Sequence, residues 1–185
     1  MGYEFLDGNL RIGAWAGEWP YDSCTKKAVE DCKKKADDAL QKINSYDAGK
    51  QITEAIKKLS FKIDLVPTTG DGAFLPVYGA KISGEVPIKR GDVGAIIIWD
   101  ISKDFTPQKG TVKGTPKPFP PWVLLAHELG HGIQMNEKGG SGGAMKWHQA
   151  YKSDMEGVEM DNIKRHETPF VVKLGLPERI RYSKP

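Results

Sequence analysis

A chain of 185 residues, 39% of them hydrophobic, is long enough to bury one core without staples, and it is read as a single domain over 1–185. Its 27 basic and 24 acidic residues are interspersed and leave a net charge of +3, so nothing in the charge balance asks for nucleic acid. No run approaches the ~20 apolar residues of a membrane span, so no membrane insertion is expected, and the N-terminus lacks the basic-then-apolar pattern of a secretory signal.

Residues 1–20 alternate aromatic or aliphatic with polar side chains and predict one or two short strands about a turn at Asp7-Gly8. Asp22 or Ser23 then caps a long helix whose apolar positions are Ala28, Cys32, Ala36, Leu40 and Ile43. On one helix Cys24 and Cys32 would stand ~12 Å apart by rise alone, too far for a disulfide, so reduced thiols are expected. Residues 44–49 break the helix, and a second follows from Lys50 to Leu59. From Phe61 the apolar period changes to two, giving a strand to Val66 and further short strands near 74–78 and 81–86. Gly94-Ala95-Ile96-Ile97-Ile98-Trp99 is the strongest strand signal, apolar on both faces and so covered on both. Residues 104–121, rich in Pro, Lys, Gly and Thr, read as a mobile loop. A helix starts at Pro120-Pro121 and ends near Asn136, before a glycine-rich linker or rim at 139–143. One more helix is expected from Trp147 or Gln149 to Arg165, with a short helix or turn near 169–174.

The chemistry lies on the helix after Pro121, in His127-Glu128-Leu129-Gly130-His131. Residues four apart on a helix point the same way, so His127 and His131 can share one Zn²⁺. Glu128 lies about 100° further round, where it can reach a water on the metal without ligating it; that is the place for a general base in hydrolysis. A catalytic zinc usually takes a third protein ligand. The sequence after His131 is Gly132-Ile133-Gln134, so a metzincin continuation is absent and the ligand must come from further on. The candidates are His148, Asp154, Glu156, Glu159 and Asp161. At 100° per residue, Tyr151, Asp154, Met155, Val158, Asp161, Asn162 and Arg165 fall on one side of the following helix; Asp154 is the first choice, Asp161 the second and Glu159 the third. Asp161 could instead pair with Arg165 at i+4, or accept the second N–H of a ligating histidine. His166 reads as a helix-end histidine.

Three segments together, Leu125-Ala126-His127-Glu128-Leu129-Gly130-His131, Asp154-x-x-x-Val158-x-x-Asp161-Asn162 and Leu174-Gly175-Leu176-Pro177-x-Arg179-x-x-Tyr182, resemble the NleD-like effector zinc metalloproteases. The resemblance covers roughly the last third of the chain, with Ile97-Ile98-Trp99-Asp100 similar to the segment ahead of the motif helix; the first ninety residues match only loosely. It implies an α+β, zincin-like fold of gluzincin type, a small mixed or antiparallel sheet packed on the motif helix with further helices around it. It also implies a zinc endopeptidase whose Zn²⁺ is held by His127, His131 and an acidic residue of the following helix. This chain offers aspartates at 154 and 161 where glutamates are common in the family. In the clostridial neurotoxin proteases, which such enzymes resemble in mechanism, an Arg and a Tyr spaced like Arg179 and Tyr182 stabilise the tetrahedral oxyanion, each such donor contributing ~3–4 kcal/mol. The resemblance further implies a secreted bacterial effector or toxin acting in a target cell on a protein or peptide substrate, with a cognate immunity protein or secretion chaperone as partner.

Two other readings compete. In one the zinc site is structural and the domain only binds, which leaves Glu128 without a purpose. In the other the chain is the self-processing protease module of a larger polymorphic toxin, which the Met1-Gly2 opening and the missing signal pattern suit. The strand ending at Trp99 is expected beside the cleft, where a free edge could pair with extended substrate.

Overall fold

The computed structural model describes residues 3–12, 26–68, 72–78, 81–82, 86–87, 93–100 and 102–183. Cys24 and the Asp22 or Ser23 cap lie outside them. Short strands β1 (Tyr3–Phe5) and β2 (Leu10–Ile12) flank a tight turn at Leu6–Gly8, and are followed by helices α1 (Lys26–Asn44) and α2 (Asp47–Lys57). The break between these helices is narrower than expected, because Gly49 lies inside α2: a Cβ there would fall 1.8 Å from the carbonyl oxygen of Ile43, so only glycine lets the two helices meet this closely.

Strands β3 (Lys62–Thr68), β4 (Ala73–Tyr78), β5 (Lys81–Ile82), β6 (Val86–Pro87) and β7 (Val93–Asp100) complete a mixed sheet ordered β1-β2-β3-β7-β4, extended by the two-residue β5 and β6. The β-branched run of β7 takes the centre, parallel to β3 on one side and antiparallel to β4 on the other. Its side chains are buried on both faces, Ile98 being half-buried. The strand expected to offer a free edge therefore has none: β7 is paired on both sides, Ile97 for example opposite both Leu65 and Phe74.

Helix α3 (Pro121–Glu137) packs against β7 and β4, and α1 and α2 pack on α3. Pro121 occupies its first turn, where no intrahelical N–H is lost. From Val123 to Met135 every residue but Leu124 is buried. The indole N–H of Trp99 donates to the carbonyl of Pro121 at 2.9 Å and ties the end of β7 to the start of α3.

After α3 the chain departs from expectation. Gly140–Gly143 form a 3-10 turn leading into α4 (Ala144–Ser153), and α4 stops at Asp154, whose φ of −149° and ψ of 68° are not helical. Helix α5 (Met155–Asn162), a π turn (Ile163–Glu167) and α6 (Thr168–Lys173) follow, in place of one unbroken helix to Arg165. The 104–121 loop is fastened as well. Phe105 and Phe119 exchange backbone bonds of 3.0 and 2.7 Å, while Lys113 N–H donates to Glu178 O and Ile180 N–H to Thr111 O at 2.9 and 2.8 Å. Loop and C-terminal segment thus form one paired unit along the cleft.

Candidate metal centre

The break at Asp154 decides which carboxylate meets the histidines. Asp154 itself does not: its exposed side chain caps α5, accepting the N–H of Gly157 at 2.9 Å. Helical phase restarts beyond it, so that Glu159, Asn162, Ile163, His166 and Glu167 become the buried face, at spacings i, i+3, i+4, i+7 and i+8. This face lies on α3 at Gly130, where a Cβ would sit 2.1 Å from Asn162 Oδ1 and 2.6 Å from the His166 ring. The glycine inside the motif is therefore what admits the second helix. Asn162 Nδ2 donates to the carbonyl of His127 at 2.8 Å and locks the contact.

Glu159 is thereby brought to the motif in place of Asp154. Its Oε2 lies 3.1 Å from His127 Nε2 and 3.4 Å from His131 Nε2, and it has no hydrogen-bond partner of its own. A buried, unpartnered carboxylate oxygen between two ring nitrogens is costly unless a cation or proton joins them. The three side chains offer ligand atoms within 4.8 Å of one another, a buried His₂-carboxylate group that can take a metal ion and that suits zinc by donor type. Tyr151 Oη donates to the other oxygen of Glu159 at 2.8 Å.

Electrostatics point the same way. Burial by itself pushes the His127 imidazole down, but the adjoining Glu159 and Glu167 carboxylates outweigh it and bring its pKa up to about 10. For Glu159, burial acts upward, yet the two histidines hold the carboxyl below the usual range. A site that raises the proton affinity of an imidazole this way also favours a cation. Glu128, buried but outside the converging three, is pushed upward by burial.

Each histidine has a polar group behind it, although only His131 Nδ1 meets its neighbour in hydrogen-bond geometry. His127 Nδ1 lies 3.2 Å from Glu167 Oε2, the same oxygen that accepts Arg179 Nη1 at 2.9 Å. His131 Nδ1 meets Gln134 Oε1 at 2.9 Å. Glu167 and Gln134 were missed in the sequence. Asp161, far from ligating, accepts Gln134 Nε2 at 2.8 Å and Arg165 Nη1 at 3.2 Å: the i+4 pair is present, but the second N–H of His131 meets Gln134 and not Asp161. His166 is no helix-end histidine: it is buried on the π turn with Nε2 unpartnered.

His127, Glu128, His131 and Glu159 line a cavity of about 810 Å³, together with Arg179 and Tyr182. Arg179 is buried, its guanidinium 5.3 Å from the Tyr182 ring centre and 5.4 Å from that of Phe105. Glu156, at the start of α5, accepts Tyr182 N–H at 2.8 Å and Ser183 N–H at 3.3 Å, which clamps the C-terminal segment to the helix that carries Glu159. Gly72 and Ala73–Pro76 of β4 also line the cavity, and among the described residues β5 pairs with β4 at Val77 and Tyr78.

Fold and site together define a mixed α+β protein with a buried group able to hold a metal ion. No protein-family model, curated protein or solved structure matches the chain, so further assignment rests on the side chains themselves.

Proposed function

We propose that this protein is a zinc-dependent endopeptidase of the NleD-like, zincin kind, acting as a secreted bacterial effector or toxin on a target protein. The observation that carries the proposal is the placement of Glu128: a buried carboxylate next to the three converging ligands, not among them, on the wall of an open cavity. A structural zinc site is closed by four protein ligands and has no use for such a base.

His127, His131 and Glu159 would hold the ion. When bound, zinc acidifies water and polarises a carbonyl. Glu128 takes the proton of the attacking water and returns it to the leaving amine, and its upward-shifted pKa suits that exchange. Arg179 and Tyr182 donate to the developing oxyanion, with Glu167 and Glu156 holding them in place. The substrate lies extended along β4 at Ala73–Pro76, where β-addition has an edge to use; β7 is not available for it.

Glu128→Gln tests the reading. Hydrolysis of peptides, followed by profiling new termini in a target-cell lysate, should fall about 10²- to 10⁴-fold with zinc content unchanged. Equal cleavage by both proteins would remove Glu128 as the base and the mechanism with it.

A further inference from the structure

We propose that Gln134 is the positioning residue that sets the tautomer of His131 and, through the same amide, the seat of the helix carrying Glu159. This rests on the metal-centre reading above. A side-chain amide has two N–H donors and one carbonyl acceptor. In Gln134 both donors are taken, one by the carbonyl of Val158 at 3.0 Å and one by Asp161 Oδ2 at 2.8 Å. Neither partner can donate in return, so flipping the amide would set oxygen against oxygen, and only one orientation is left. Oε1 is consequently the atom that faces His131 Nδ1 at 2.9 Å, and it can only accept.

His131 must then carry its hydrogen on Nδ1, which leaves the Nε2 lone pair for the ion and for nothing else. Val158 adjoins Glu159, so the bond that orients the ring also fixes α5 against α3 at the third ligand. The amide is braced from outside. Arg165 Nη1 bonds Asp161 and also Glu137 Oε2 at 3.0 Å, so a chain of polar contacts runs from the surface of α3 through α5 and back to the imidazole.

The experiment reads two quantities. The first is the long-range ¹⁵N–¹H pattern of His131 in metal-free protein, at a pH where the ring is neutral. The second is the zinc dissociation constant, by competition with a chromophoric chelator. Wild type should show one tautomer, protonated at Nδ1. Gln134→Leu should give a mixture and weaken zinc binding about 10- to 100-fold. A Leu variant with an unchanged tautomer and a dissociation constant within about twofold of wild type overturns the proposal. If Leu fails to fold, Gln134→Asn, which withdraws the amide by one methylene, is judged by the same two readouts. Wild type that binds no zinc would overturn the metal reading alone, because the metal-free spectrum still judges Gln134.

Discussion

The two histidines of the motif occupy equivalent helical positions one turn apart, yet they are held in opposite ways. His127 is backed by charge: Glu167, buried and shared with buried Arg179, ties the ring to a residue 52 positions further along the chain. His131 is backed by a neutral amide three residues away, whose own supports lead out to a half-exposed ion pair between Asp161 and Arg165. Charge inside the protein gives a strong, directional hold but cannot lose a partner cheaply; a satisfied amide is weaker and more forgiving. The candidate metal centre therefore depends on the C-terminal segment through one histidine and is nearly independent of it through the other.

The largest effect that can separate these arms is at the ligand they share. Glu159→Ala should leave the metal-free fold in place and abolish stoichiometric zinc after dialysis, whereas Asp154→Ala should retain zinc and cost only about 1 kcal/mol, the worth of a helix cap. Metal analysis beside urea denaturation decides it, and loss of zinc in the Asp154 variant with retention in the Glu159 variant would reverse the assignment. Next in size is Glu167→Ala. It strands a buried guanidinium, so metal-free protein should lose about 3–5 kcal/mol in urea denaturation. Asp161→Ala, at the exposed end of the other arm, should lose about 1 kcal/mol or less. Equal losses in the two variants would erase the contrast between the arms.

How much of this could be seen in advance follows from the range of the signals. His127, Glu128 and His131 were legible because helical spacing alone sets their directions, and β7 because eight residues of mostly apolar, β-branched character have few other uses. Glu159 was ranked below Asp154 because one helical phase was carried through a residue that breaks it. The signal was present: Asp154 stands directly before a segment with an acid in its first turn, which is how a helix start reads. Glu167 was harder. It stands at i+8 from Glu159 on the same buried face, but that face shows only once the helical phase is restarted after Asp154, and its contact with His127 needs the packing of this segment on α3. Gln134 was visible at i+3 from His131, but its meaning needs Val158 and Asp161, which only the packing of α5 on α3 brings close. The loop at 104–121 reads as mobile from its composition because its restraints are backbone bonds, Phe105 to Phe119 within it and Thr111 and Lys113 to the far end of the chain, which composition does not announce.

His166 gives an effect that is read against pH and not at one pH, on the side of α3 away from Glu159. It lies on the same buried face as Glu167, one residue earlier, packed over Gly130. Burial lowers its pKa, the neighbouring Arg165 lowers it further, and with Glu137 and Asp161 acting in the opposite sense it comes down to about 4 from 6.5. Between those values the unfolded chain binds a proton that the folded protein refuses, so stability is complete above pH 6.5 and falls as the pH drops toward 4. The loss through this group is on the order of 3 kcal/mol once the pH is below 4, and less above it. His166→Phe removes the titration. In metal-free protein kept under chelator, the drop in urea midpoint from pH 7 to pH 5 should be shallower for the variant than for wild type; parallel drops would mean that His166 is charged in the fold. Burial thus disfavours charge on His166 behind the helix at Gly130, whereas on the cavity side of α3 the Glu159 and Glu167 carboxylates outweigh burial at His127 and favour a positive charge there.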